Sequence, residues 1–485
     1  MAIRLDQYNN QLVVSDTVTA NAPLVLQPQG TGALQSQLTD STATGGNARG
    51  ANAVDWQTAR GLASQVANGT VAVIGGGQNN TSSGLLTTVA GGFNNNASGN
   101  SAFIGGGQYN TASQVRGVAV GGGVNTAAGI YNFVGGGFTN SGTANGAVTT
   151  QSGTMNGTTA VTLSGSNASI KVGQYITGTS ISADTYVAAI SGTSLTLSQA
   201  ASGSSTSTLS FYTPHGVVVG GGNNTATGSY SFIGGGGDAG TAAQRNTASG
   251  PWSTVVGGWN NTASGEASFI GGGGSYGGGP GGSVASALGS SVLGGYSNVA
   301  SGAHASVLAG GNNTASGAYS AAIGGYNQTT RGITGITVFG SRSSFGSTNG
   351  QAQNAIFTFS RQTTDATASV LTCDSSTTPS GINQVILPNN SAYFFTGEVV
   401  SGVTGGGNTK GWTIEGVIKR GANAASTALV GTPMVTSAYA DVGAATWAIA
   451  VTADTTNGGL AVTFTGQAST TIRTVARVNT VEMTF

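Results

Sequence analysis

The stretch GGNNTASGAYSAAIGG, Gly310 to Gly325, decides the fold of this chain. It reads as a turn, a short strand and another turn, and close relatives of it recur along much of the sequence. Gly and Asn supply the positive φ angles that tight turns need, while Thr and Ser bond locally to the backbone. Each repeat is therefore predicted to consist of strand, turn, strand and turn.

The spacing of the repeats predicts a β-solenoid or β-roll. When each coil is marked at the apolar residue before its Gly run, as at Ile74, Ala90, Ile104 and Val120, the intervals are mostly 14 or 16 residues. Even intervals suggest that the same residues face inward in every coil, because side chains alternate along a strand. Longer intervals of 85, 23 and 23 residues indicate insertions of 69, 7 and 7, which we expect at one corner of the coil.

One coil is too small to fold by itself. Burial of about two apolar side chains contributes roughly 3 to 6 kcal/mol per coil, whereas backbone ordering costs about 1 to 2 kcal/mol for each residue. Helical repeats are disfavoured because each interior Gly costs about 1 kcal/mol relative to Ala. We therefore expect an all-β chain that associates with other copies along its length.

The composition argues against several functional classes. The chain has 485 residues, 85 of them Gly, and its 14 basic side chains match 14 acidic ones. Nucleic-acid binding is not expected, since phosphate recognition needs clustered Lys and Arg. No apolar run reaches the ~20 residues that span a bilayer, so membrane insertion is not expected. The opening residues, MAIRLDQYNN, lack the basic and apolar regions of a signal peptide, which predicts no secretion by the usual route.

The sequence shows no arrangement of catalytic or metal-binding residues. Glycan cleavage requires paired carboxylates, but Glu398 and Glu415 alternate with apolar residues and are expected to face solvent or pair with Lys419 or Arg420. The two histidines are isolated, and no G-K-[ST] follows a Gly-rich loop. We expect no enzymatic activity, no cofactor and no metal.

The repeats resemble those of a known family. The phrase NTASGAYSAAIGG is similar to the head repeat of trimeric autotransporter adhesins, over about residues 71–140 and 216–345. The residues that carry this resemblance are Ala315, Gly317, Ser320, Ala322 and Gly324. The resemblance implies a left-handed parallel β-roll in a homotrimer.

The two ends resemble segments of phage tail fibres. The similar stretches are TGGNARGANAVDWQTAR, Thr44 to Arg60, and NQVILPNNSAYFFTGEVVSG with WTIEGVIKRGANAASTALVG. This resemblance implies a homotrimeric virion fibre that assembles in the host cytoplasm, attaches to phage tail or adaptor proteins, and contacts a host cell-surface glycan or protein. A capsid head fibre or decoration protein is the alternative, followed by a bacterial surface adhesin or a glycan depolymerase.

Changes in Gly content, charge and strand pattern along the sequence predict five segments. Residues 1–70 form an N-terminal attachment or capping segment, 71–141 β-roll repeats, 142–212 an inserted antiparallel β-module, 213–345 further repeats, and 346–485 a C-terminal β-sandwich-like domain for receptor binding and trimerisation. The insertion is either an accessory glycan-binding module or a spacer.

Candidate binding residues lie in the two terminal segments. Loops at the tip of the C-terminal domain are predicted to present the receptor-binding residues Asn389, Asn390, Lys410, Trp412, Tyr439, Asp441 and Trp447. For each aromatic residue among them, a core or trimer-interface position is the favoured interpretation over a ligand contact. The candidates for docking to the virion are Arg4, Asp6, Tyr8, Arg49, Asp55, Trp56 and Arg60.

Overall fold

The computed structural model of the chain describes residues 2–6, 11–15, 26, 28–142, 149–172, 174–182, 185–212, 216–238, 240, 244–274, 281–340 and 348–485. The chain is all-β, as the repeats predict, with about 18 turns of parallel β-solenoid and 2% helix. It divides into two compact units, Met1–Gly122 and Gly123–Phe485.

The first unit contains a hairpin and a series of solenoid strands. Ala2–Asp6 pairs antiparallel with Gln11–Ser15. The solenoid strands are Leu34–Gln35, Val54–Asp55, Val73–Ile74, Thr81–Ser82, Thr88–Val89, Asn96–Ala97, Phe103–Ile104, Thr111–Ala112 and Val118–Ala119. Because Leu34 pairs in parallel with Val54, and Val54 with Val73, the solenoid begins near residue 34 rather than at the predicted boundary of 71.

The second unit contains a longer series of solenoid strands. They are Thr126–Ala127, Phe133–Val134, Val217–Val218, Thr225–Ala226, Phe232–Ile233, Thr247–Ala248, Thr254–Val255, Thr262–Ala263, Phe269–Ile270, Val284–Ala285, Ser291–Val292, Val299–Ala300, Ser306–Val307, Thr314–Ala315, Ala321–Ala322 and Thr337–Phe339. In the two-residue strands the second side chain is fully buried and the first faces outward, as at Ile270 and Phe269. Each coil thus places two small or branched apolar side chains in the core.

The 69-residue insertion forms an antiparallel sheet with its own core, as the alternating pattern predicts. Its strands are Thr149–Asn156, Ala160–Leu163, Tyr175–Thr177, Val187–Ser191, Ser194–Leu197 and Ser204–Tyr212. The longest two pair along their whole length, from Thr149 with Phe211 to Asn156 with Ser204. Its interior is filled by Met155, Leu209, Phe211 and their neighbours.

Strand pairing shows that the coil has 15 residues, so the prediction of an even interval was wrong. Asn110 bonds to Asn95 and Asn261 to Asn246, each pair being 15 residues apart. The chain makes two turns between a strand and its copy in the next coil, and the alternation of inward and outward side chains is not kept through a turn. The number of residues in a coil therefore need not be even. The intervals of 14 and 16 arise because the Gly run begins one residue later in some coils than in others.

The insertions lie at both corners of the coil, not at one as predicted. The 7-residue insertions follow Ile233 and Ile270, since the equivalent pairs Asn224–Asn246 and Asn261–Ser283 are 22 residues apart. The 69-residue insertion follows Ser141, at the opposite corner, because Asn140 and Asn224 are 84 residues apart. Either turn of the coil therefore accepts additional chain.

A ladder of buried asparagines closes one corner of the coils. In the first unit, the Asn95 amide nitrogen donates to the Gly91 and Gly107 carbonyls, each at 3.0 Å, and its oxygen accepts from the Asn110 backbone at 2.9 Å. The pattern repeats in the second unit, for example at Asn298 and Asn313. The second Asn of the NNTAS phrase is therefore a structural residue that joins successive coils.

The C-terminal domain consists of two antiparallel sheets. The larger has the strand order Ala352–Thr363, Ile472–Thr484, Ser391–Val403, Thr409–Arg420, Ala428–Ala440. The smaller contains Ser369–Val370, Val385–Ile386, Ala448–Asp454 and Gly459–Thr465. Short 3₁₀ turns occur at Ala424–Ser426 and Val442–Ala444. Side chains of both sheets share one core, in which Trp412 and Trp447 each contact Phe464 edge-on, with ring centroids 6.2 Å apart.

A shared sheet and a buried ion pair are among the contacts that join the solenoid to the C-terminal domain. Thr337–Phe339 pairs antiparallel with Asn354–Ile356. Close by, Arg331 Nη2 lies 2.6 Å from Glu482 Oε2, whose side chain is fully buried. Gln353 and Thr480 also donate to this carboxylate, each at 2.8 Å.

Candidate functional site

The predicted receptor-binding residues do not form one cluster. Asn389 and Asn390 are exposed next to Ser391, which pairs with Thr484 at the solenoid end of the large sheet. Tyr439, 82% exposed, pairs with Gly411 near the other end. The strand Ser391–Val403 has 13 residues and spans roughly 40 Å at about 3.3 Å per residue. The expectation of a single tip bearing all these residues is corrected.

Lys410, Trp412 and Trp447 belong to the interior of the C-terminal domain. The two indoles are 4% and 1% exposed, and the Lys410 side chain is also buried. Its Nζ donates to the Trp447 carbonyl at 2.7 Å and the Ala445 carbonyl at 3.1 Å, and lies 5.2 Å from the Trp412 ring. These contacts assign the three residues a packing role. Asp441 is exposed and accepts the Thr409 backbone N–H at 2.7 Å.

The docking candidates near residue 55 form a buried ion cluster. Asp55 Oδ2 lies 2.9 Å from Arg49 Nε and 3.4 Å from Arg60 Nη2, and none of the three side chains is more than 1% exposed. Arg60 also donates to the Thr44 and Gln57 carbonyls. The cluster holds the first coils together, and it is not accessible to a partner.

The remaining docking candidates differ in how far the structure describes them. Trp56 is 44% exposed beside the ion cluster. Arg4 and Asp6 lie on the first strand of the hairpin. Tyr8 lies outside the described residues.

The two glutamates considered as a carboxylate pair, Glu398 and Glu415, are both exposed. Glu398 pairs with Arg477 through two bonds of 3.0 and 3.1 Å, and both side chains are well exposed. It therefore pairs with Arg477 rather than with Lys419 or Arg420. Within the described ranges, no group of three or more His, Cys, Asp or Glu could hold a metal ion. No described helix is long and apolar enough to cross a membrane.

An exposed apolar stripe runs along one face of the solenoid in the second unit. Seven of its residues are between 36% and 53% exposed: Val219, Val256, Phe269, Leu293, Leu308, Ile323 and Phe339. Phe133 and Phe232 are its partly buried members. Since neighbouring parallel strands lie about 4.8 Å apart, these side chains form a continuous column.

Each coil contributes one large side chain to this stripe. Where the coil reads Phe-Ile-Gly, the Phe ring lies across the following Gly: a Cβ on Gly234 would be 3.4 Å from Cε1 of Phe232. Other coils have a small outward residue and a large one two positions later, as with Thr254 and Val256. The two coil types explain the shifting start of the Gly runs.

The stripe continues onto the outer face of the large C-terminal sheet. Phe339 pairs with Asn354, which pairs with Val481. Val481 in turn pairs with Phe394, and Phe394 with Val417. Phe394 and Val481 are 42% and 60% exposed. Residues directly opposite in antiparallel strands point to the same side, so the face that bears the stripe continues through Asn354 at the joint into the face that bears Val481 and Phe394.

The distal half of the same sheet face holds a basic pocket beside the exposed pair Val400 and Val475. The pocket, of about 320 Å³, is lined by Arg361, Arg473, Ser360, Ser375 and other residues. Arg361 Nη1 donates to the Ser376 carbonyl at 2.7 Å, and Arg473 Nε to Gln362 Oε1 at 3.0 Å. The described residues that line it include no carboxylate. Such a site favours an anionic group.

Sequence reasoning missed both surfaces. The stripe was detectable as a large apolar residue recurring once per coil beside the buried position. The pocket was not, because its residues come from three separate segments. Comparison of the chain with family models and with curated proteins finds no match.

Proposed function

We propose that this protein is a homotrimeric virion fibre of a phage, in which the solenoid is a shaft and the C-terminal domain contacts the host surface. The observation that carries the proposal is the apolar stripe, which runs from the solenoid onto the C-terminal sheet. Monomeric proteins rarely expose so long an apolar surface, and such patches mark association sites. Three copies are proposed on the resemblance to trimeric autotransporter heads.

The size of the apolar surface supports self-association. A large apolar side chain presents about 150 to 200 Å² when free, so stripe and sheet residues that are 36% to 60% exposed offer on the order of 800 Å² per copy. A standard specific interface buries about 800 Å² on each partner. The residues of the stripe, from Phe133 to Phe339, are all uncharged. The same stripe on a second copy of the chain is therefore a suitable partner for it.

The basic pocket in the distal half of the C-terminal sheet supports the recognition role. Arg361 and Arg473 give this region a basic pocket, and many bacterial surface glycans carry carboxylate or phosphate groups. Identical pockets on associated copies would combine weak contacts through avidity. We assign virion attachment to the N-terminal end, with tail or adaptor proteins as partners.

Self-association is tested with charged substitutions on the stripe. Leu293→Lys and Ile323→Lys together should convert the full-length chain to monomers, because each would bury an uncompensated charge at the interface. The matched control is Ser264→Lys, an exposed position on another face of the solenoid. Molar mass is measured by light scattering coupled to size exclusion. Unchanged mass in the double variant would refute the interface.

Virion location is tested by immunolabelling of intact particles with an antibody against residues 351–485. Label at the free ends of tail-associated fibres is expected. Label around the capsid would instead identify a head fibre or decoration protein. Arg473→Ala should reduce host adsorption, whereas Arg477→Ala, whose charge lies outside the pocket in the pair with Glu398, should not.

A further inference from the structure

A cleft of about 460 Å³ separates the inserted module from the neighbouring solenoid coils. The solenoid wall presents Trp252 and Glu266, and the module wall presents Lys171, Val172 and Ile190. The two walls come from segments about 80 residues apart in the chain, brought together because the insertion leaves and re-enters the solenoid at one corner.

Trp252 forms a rigid aromatic platform in this cleft. Its ring stacks on that of Tyr230 with centroids 6.1 Å apart and an interplanar angle of 4°. The Trp252 backbone N–H donates to the Ser229 carbonyl at 2.7 Å, which holds it on the solenoid. Although one side contacts Tyr230, the residue is still 48% exposed. A fixed, half-open indole loses little conformational entropy when a flat ligand stacks on it.

The other groups of the cleft restrict the class of ligand. Glu266 and Lys171 place a carboxylate and an ammonium on opposite walls, so the cleft offers both hydrogen-bond acceptors and donors. Val172 is 49% exposed and Ile190 is half-buried, which adds apolar surface between the charges. A polyanion would be repelled by Glu266, and a purely apolar ligand would leave both charges without partners.

We propose that this cleft binds an oligosaccharide, with a pyranose ring stacked on Trp252 and its hydroxyl groups bonded to Glu266 and Lys171. A pyranose ring has apolar C–H faces and a rim of hydroxyl groups that both donate and accept, which matches the aromatic platform and the two opposite charges. Asn167, also at the cleft, already donates to Thr149 and Gln151, so it shapes the wall. The proposal concerns a glycan site separate from the C-terminal domain and does not rest on the trimeric fibre.

The test uses the full-length chain and an array of defined bacterial surface oligosaccharides, followed by titration of the strongest ligand. Trp252→Ala should weaken binding by at least about tenfold, and Glu266→Gln by a smaller factor. Trp252→Phe should retain most of the affinity because a ring remains. The matched control is Trp56→Ala, which removes a tryptophan of similar exposure, 44%, from the other unit.

Three results would overturn the proposal. The first is that no glycan on the array binds less tightly to Trp252→Ala than to Trp56→Ala. The second is binding that survives Trp252→Ala but disappears in Lys171→Ala, which would indicate a simple anion site. Melting curves of each variant check that it folds. If Trp252→Ala does not fold, the glycan affinities of Trp252→Phe and Trp252→Leu are compared instead. Loss of binding only in Arg473→Ala would place the site in the C-terminal pocket instead.

Discussion

Asn95→Leu provides a direct test of the asparagine ladder that joins the coils. Asn95 is 1% exposed, and its side chain makes three hydrogen bonds, two to Gly91 and Gly107 and one from Asn110. Leu has nearly the same shape but neither donor nor acceptor, so the substitution removes the bonds without opening a large cavity.

The expected loss of stability follows from the partners left behind. The Gly107 carbonyl still accepts the Phe93 backbone N–H at 2.9 Å, whereas the Gly91 carbonyl and the Asn110 N–H lose the bonds that Asn95 supplied. Each buried group without a partner costs about 1 to 3 kcal/mol. The two groups together cost about 2 to 6 kcal/mol, and after an offset of about 1 kcal/mol for the added apolar burial we expect a net loss of about 1 to 5 kcal/mol.

The neighbouring residue supplies the control. Asn96 is exposed, and Thr stands at the equivalent position in coils such as that of Thr111, so Asn96→Thr should change stability by less than about 0.5 kcal/mol. Hydrogen exchange of peptides that cover residues 88–112 measures the local effect. A loss of about 1 to 5 kcal/mol predicts exchange about 5 to 5,000 times faster in Asn95→Leu. Equal protection in the two variants would refute the ladder as a source of stability.

Three further substitutions or measurements test other parts of the structure. Asp55→Asn leaves two buried guanidinium groups without a counter-charge and should destabilise the first unit by about 3 to 5 kcal/mol; unchanged exchange over residues 45–67 would contradict this role. Burial and the nearby charge of Asp374 raise the pKa of the Cys373 thiol to about 12, so at pH 8 it should stay protonated and react with iodoacetamide only after unfolding. Rapid alkylation of the native protein would argue against this burial. Glu482→Gln should lower the free energy of unfolding, measured by heat or denaturant, by about 3 to 5 kcal/mol because Arg331 loses its buried partner. Adding Arg331→Met should recover part of this loss. If the losses of the two single variants simply add in the double variant, the pairing is contradicted.

The fold class was predictable because the repeat places its turn residues and core residues at every coil. The Gly run, the second Asn at Asn95 or Asn313, and the buried apolar residue of each strand all specify local geometry. The coil length was not predicted correctly. Intervals were counted from the apolar residue before each Gly run, and this residue lies one position later in coils where a large side chain replaces the first Gly. Pairing of Thr88 with Phe103 removes that ambiguity.

The binding residues were harder to predict than the fold. Lys410, Trp412 and Trp447 look like surface candidates in a loop-rich sequence, but long-range packing buries them. Arg49, Asp55 and Arg60 look like surface charges, yet they neutralise one another in the interior. A linear pattern does not indicate which polar side chains find a buried partner.

The sequence by itself determines the parallel coils, the positions of their turns and the inward-facing core, since these depend on residues within about fifteen positions of each other. Only the tertiary structure decides which outward side chains align into the apolar stripe, and that Phe339 continues through Asn354 and Val481 onto the C-terminal sheet. The same holds for the cleft that brings Trp252 opposite Lys171. The physical reason is that surfaces and clefts form from segments far apart in the chain, whose meeting depends on strand register and on the path of the insertion.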